Sequence, residues 1–97
     1  MNGIANINDL FLLFKDKDIF DQFGLHKIGV FGSLARGEHF NDIDIFIEEE
    51  IDFNKLLRLK KMLEKETGFP VDIMQKKYAE PVILYRALKD MQYAAAS

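Results

Sequence analysis

Phe31-Gly32-Ser33-Leu34-Ala35-Arg36-Gly37 and, after four polar or aromatic loop residues, Asp42-Ile43-Asp44-Ile45-Phe46-Ile47 are the stretches that decide how this chain folds. The second alternates strictly. Ile43, Ile45 and Ile47 fall on one face of an extended strand, and Asp42, Asp44 and Phe46 on the other, because successive side chains of a strand point to opposite sides. One face therefore asks to be covered, while the other carries two carboxylates. In the first stretch, Gly32 and Ser33 stand where a strand over 27–31 ends and a brief helix over 33–36 begins, stopped by Gly37.

Working outward, Asn6 or Asn8 can cap a helix whose apolar positions are Ile7, Leu10, Phe11 and Phe14. The charged residues 15–18 interrupt it before Ile19, Phe20 and Phe23, and Gly24 ends the second piece. Downstream, Phe53, Leu56, Leu57, Leu59, Met62 and Leu63 predict an amphipathic helix running to Thr67, with Gly68 as its stop. Residues 71–74 read as a third strand, in which Asp72 faces away from Val71 and Ile73. Pro81 opens a last helix with Ile83, Leu84, Ala87 and Leu88 inward; residues 91–94 either extend it or form an edge strand. The order predicts an α/β fold, a small mixed sheet with helices packed mainly on one face.

Length and composition narrow the function. Ninety-seven residues suit a single domain spanning 1–97, with no second substrate-carrying domain. With no cysteine, disulfides, thiol chemistry and cysteine-ligated metals are excluded. A net charge of -3 has the wrong sign for a protein that holds nucleic acid by neutralising phosphates, so no direct nucleic-acid binding is expected. The apolar run over 10–14 is too short for a signal-peptide core or a membrane span; no membrane association and a cytoplasmic location are expected.

Three aspartates and one glycine-serine turn carry the chemistry. A helix N-terminus reached through glycine presents backbone N–H groups to an anion, and Ser33 adds a hydroxyl; the same residues also make an ordinary strand-to-helix turn. Asp42 and Asp44 side by side repel one another unless a cation lies between them. Asp72 is a third carboxylate in an apolar strand. Hard oxygen ligands of this kind suit Mg²⁺, which is held by a few carboxylates together with substrate phosphates. His26 and His39 do not pair as metal ligands, Lys60 and Lys61 read as a solvated helix face, and Tyr78, Tyr85 and Tyr93 as packing or helix-edge residues.

Gly32-Ser33-x-Ala35-Arg36-Gly37, eight residues between Ser33 and Asp42, Asp42-x-Asp44, and the later Asp72 together resemble the nucleotidyltransferase superfamily of the DNA polymerase β type, and within it the minimal, MntA-like antitoxin group. The resemblance implies a polymerase β palm-like fold. It assigns the nucleotide's triphosphate to Gly32 and Ser33, two Mg²⁺ ions to Asp42 and Asp44, and a share of one metal and activation of the attacking hydroxyl to Asp72. Arg36 matches the motif's arginine, which contacts phosphate or braces the loop. Asn41 stands where serine is usual, and the loop before Asp42 is short. The implied activity is transfer of AMP from ATP to a hydroxyl, a tyrosine of a HEPN-domain toxin, by the antitoxin of a toxin–antitoxin pair. The competing reading is a non-catalytic module that blocks a HEPN partner by contact. Transfer to a small molecule is disfavoured, since either a macromolecular acceptor brings its own surface or a second subunit, in an oligomer, completes the site.

Overall fold

Isoleucine and valine at alternate positions build the centre of the protein in the computed structural model, which describes residues 3–96. The elements are α1 (Ile7–Asp16), α2 (Ile19–Phe23), β1 (Lys27–Phe31), α3 (Gly32–Ala35), β2 (Ile43–Ile47), α4 (Phe53–Thr67), β3 (Val71–Gln75), a 3₁₀ turn (Lys76–Tyr78), α5 (Pro81–Asp90) and β4 (Gln92–Ala95). The sheet runs β3-β2-β1-β4. β1 is antiparallel to β2 and to β4, whereas β2 and β3 are parallel, the long crossover between them being α4. The mixed sheet predicted from the alternation is thus present, and residues 92–95 take the edge-strand alternative.

Register fixes the two faces. Val30 stands opposite Ile45, and Ile45 beside Ile73, so the β-branched residues share one face. Leu10, Leu13 and Phe14 of α1, Ile19 and Phe23 of α2, and Leu59 and Leu63 of α4 close over it with Ile28, Val30, Ile43, Ile45 and Ile47 to form the core. Each fully buried side chain of this size contributes roughly 1.5–3 kcal/mol. α1 is capped as expected: the Asn6 side chain accepts from the Asp9 N–H at 3.0 Å.

Several inward positions differ from expectation. On α5 only Ala87 is buried; Ile83 and Leu88 are 53% and 49% exposed. This helix lies against β1 and α3 along a narrow stripe centred on the small Ala87, which leaves its larger apolar side chains on the flanks. At the start of α4, Phe53 and Leu57 are exposed because the first turns stand outside the core that Leu59 and Leu63 enter. Phe46, on the acidic face, is nevertheless buried: Met91 and Tyr93 gather with it over Gly29. Tyr78, Tyr85 and Tyr93 lie at the surface, each beneath a lysine, Lys77, Lys89 and Lys27 respectively.

Lys60 is not merely solvated. Its Nζ donates to the Val71 carbonyl at 2.6 Å and pairs with Glu64 at 3.0 Å, while Glu64 Oε2 accepts the Val71 N–H at 2.9 Å. Val71 opens β3, an edge strand, and its outward backbone groups are satisfied by two side chains of α4. Among the described residues no helix is long and apolar enough to cross a membrane.

Candidate active site

The parallel pairing of β2 and β3 sets Asp44 beside Asp72 on the face away from the core. Asp42 precedes β2 by one residue and, two positions from Asp44, returns to the same side. One carboxylate oxygen from each of Asp42, Asp44 and Asp72 lies within 4.8 Å of the others. None of the three is in an ion pair among the described residues. Three hard oxygen donors on or beside two adjacent strands, without a protein cation between them, fit a divalent ion such as Mg²⁺.

Asp44 records the strain of this arrangement. Its pKa is pushed from 3.8 up to about 6, first by burial and then by the charges of Asp42 and Asp72, with Arg36 opposing. Asp42 and Asp72 are exposed, whereas Asp44 is half-buried.

Gly32 begins α3 with φ +78°, a conformation that L side chains rarely adopt. A Cβ built there would overlap Asp44 Oδ2 and stand 3.3 Å from its Cγ. The glycine thus makes room for a carboxylate of the site itself, whereas the sequence pointed to room for a phosphate. The N–H groups of the first turn of α3 have no acceptor within the helix. Ser33 Oγ accepts from Arg36 Nη2 at 3.3 Å, leaving its own proton free to donate.

Arg36 is held on three sides. Nη1 donates to Asp90 Oδ2 at 2.7 Å, Nε to Glu38 Oε1 at 3.1 Å, and Nη2 to Ser33. The neighbouring Gln92 Nε2 donates to the Ala35 carbonyl at 2.7 Å, a second tie between the α5–β4 corner and α3. Of the two roles open to Arg36, bracing the loop is the one these contacts serve.

A cleft of about 260 Å³ opens here, lined by Phe31, Gly32, Arg36 and Asp44 on one side and by Ile83, Arg86, Ala87 and Asp90 of α5 on the other. The α5 residues were missed in the sequence reading. Positions 83, 86, 87 and 90 share one helical face, a pattern that in the sequence looks like packing, and their proximity to Asp44 depends on a tertiary crossing. The histidines stay apart: His39 is exposed in the loop, and His26 Nδ1 lies 2.8 Å from Glu49 Oε1 at the other end of β1.

Comparison with known proteins identifies the family. Residues 15–93 match the family described as Polymerase beta, Nucleotidyltransferase. The protein adenylyltransferase MntA of Thermococcus cleftensis is 36% identical over 81 residues, covering 79% of this chain and 82% of that protein. A crystal structure of a toxin-antitoxin with AMP-PNP superimposes with a TM-score of 0.63 at 24% identity, covering 81% of this chain and 68% of the other. The complex of tri-AMPylated Shewanella oneidensis HEPN toxin with MNT antitoxin does so with a TM-score of 0.60 at 22% identity, covering 86% and 70%. The two structures share the fold; the family follows from the sequence matches. The chain belongs to the polymerase beta nucleotidyltransferase family, in its small MntA-like group, and is a nucleotidyltransferase.

Proposed function

We propose that this nucleotidyltransferase moves AMP from ATP to a hydroxyl of a protein, a tyrosine of a HEPN-type toxin, and so acts as the antitoxin of a toxin–antitoxin pair. The observation that carries the reading is the convergence of Asp42, Asp44 and Asp72 beside the Gly32–Ser33 turn. The name of the Thermococcus relative and the AMPylated toxin in the Shewanella complex support the choice of AMP and of a protein acceptor. The AMP-PNP complex supports ATP as donor.

In this reading Asp42 and Asp44, with Asp72, would hold two Mg²⁺ ions. Bound there, the ions supply neutralisation of the charge that develops on the phosphate oxygens. Ser33 donates its hydroxyl proton, and the first turn of α3 its N–H groups, to the β- and γ-phosphates. The acceptor hydroxyl attacks the α-phosphorus in line, the bond to the β-phosphate oxygen breaks, and pyrophosphate leaves towards the turn. Asp72, exposed at the edge strand, receives the hydroxyl proton. An open edge suits an acceptor that arrives on another protein.

Incubation with ATP, Mg²⁺ and a HEPN protein encoded beside this chain, followed by intact-mass measurement, tests the proposal. Addition of AMP to a tyrosine is the expected result. A tight complex with no mass change would overturn the transfer reading and favour the non-catalytic block by contact.

A further inference from the structure

We propose that Arg86 of α5 is the cation that binds the nucleotide's phosphates, and that Arg36 is a positioning residue. The inference rests on the cleft being a nucleotide site, as in the proposed function, and goes beyond it by assigning residues that the sequence motif does not contain. Arg36, the motif's arginine, has its guanidinium committed to Asp90, Glu38 and the Ser33 hydroxyl. Withdrawing it to meet a phosphate would leave Asp90 unpaired and free the side chain that holds Ser33 in place. Arg86 lies in the same cleft, exposed, and forms no ion pair among the described residues.

Placement on α5 gives Arg86 a task that Asp90 cannot share. One turn apart on one helix face, Asp90 reaches across to Arg36 while Arg86 lines the same cleft as Asp44 and brings it a second positive group. A triphosphate entering between them needs positive charge on the side away from the metal-binding acids. Arginine's planar fork suits phosphate oxygens. Phe31, Ile83 and Ala87, the apolar lining, have no means of balancing that charge.

Binding of three probes by calorimetry, each with Mg²⁺, to wild type and to Arg86→Gln, Arg36→Gln, Asp90→Asn and the Arg36→Gln/Asp90→Asn double variant tests the assignment. The probes are ATP, tripolyphosphate and adenosine. Arg86→Gln should weaken ATP and tripolyphosphate alike by roughly 10- to 100-fold, the worth of a hydrogen bond to a charged group, and leave adenosine unchanged. Arg36→Gln and Asp90→Asn should each weaken ATP less. Their double variant should be no worse than the poorer single one, because both act through one bridge, whereas adding Arg86→Gln to either should multiply the losses. Arg86→Lys should restore part of the affinity. Unchanged ATP affinity in Arg86→Gln, with wild type binding normally, overturns the assignment alone, as does an equal loss for adenosine, which would make Arg86 a base contact. A wild-type protein that binds none of the probes overturns the nucleotide site and this inference together.

Discussion

The carboxylate of Asp44 occupies the space that a side chain at Gly32 would fill. The end of β1 and the acidic strand β2 can approach this closely only because one of the two positions lacks a Cβ. The Gly32–Ser33 turn and the acidic face are therefore a single piece of geometry.

Gly32→Ala should accordingly damage both stability and nucleotide binding. The positive φ alone costs about 1 kcal/mol or more. Gly24→Ala is the control, because Gly24 has φ +67° and nothing within 4 Å of its Cβ position. Thermal melts should show Gly32→Ala falling further than Gly24→Ala, with ATP binding lost only in the former. Equal melting temperatures would mean that Asp44 moves aside without cost.

Asp44→Asn should stabilise the metal-free protein, in a pH-dependent way. The folded pKa of about 6 lies above the ordinary 3.8, so the folded state binds more proton than the unfolded state between these values. Stability from this group is lost as pH rises from about 4 to about 6 and stays lost above that. The full shift is discounted for the exposed part of the side chain, leaving about 1–2 kcal/mol at neutral pH. In EDTA the variant should melt several degrees above wild type at pH 7, and the gap should close near pH 4. With Mg²⁺ and ATP the order should narrow or reverse, since wild type gains more from ligand binding. A variant that melts lower in EDTA would identify Asp44 as a structural hydrogen-bond acceptor.

Ser33→Ala should weaken ATP binding about tenfold with little effect on folding, through loss of one hydrogen bond to a charged phosphate. The Arg36–Asp90 pair remains to hold the loop. Calorimetric titration checks it; an unchanged affinity would place the phosphates elsewhere.

Lys60→Met should lower the melting temperature and also impair Mg²⁺-dependent ATP binding, although it lies on the helix behind the sheet. It removes the donor to the Val71 carbonyl and the partner of Glu64, both of which steady the residue before Asp72. Lys61→Met, one position on, should leave both measurements unchanged.

The strands were legible because Ile43, Ile45 and Ile47 take every second position, with the carboxylates of Asp42 and Asp44 set on the opposite face. The triad was legible because carboxylates set into apolar strands repel one another until a cation joins them. The side of the cleft formed by α5 was not. Ile83, Leu84, Ala87 and Leu88 satisfy a helical period, yet only the crossing of α5 over β1 decides that Ala87 is covered and Ile83 left half open. Lys60 reads in the sequence as a solvated residue for a related reason: its partner is a backbone carbonyl, and backbone groups leave no mark in a sequence. Arg36 carried the right motif, but its engagement with Asp90 spans 54 positions that no local pattern connects.

Asp44 stands beside Asp72 in the same ladder that sets Ile45 beside Ile73, and this gives the chain an uneven tolerance to changes of length. Adding or deleting one residue in β2 or β3 would turn every later side chain of that strand over, sending an aspartate inward and an isoleucine to solvent in one event. The segment between Gly37 and Asp42 is under no such constraint, because it lies outside the ladder. Insertions there should be accepted while the acids keep their places, so changes of chain length have a natural point of entry.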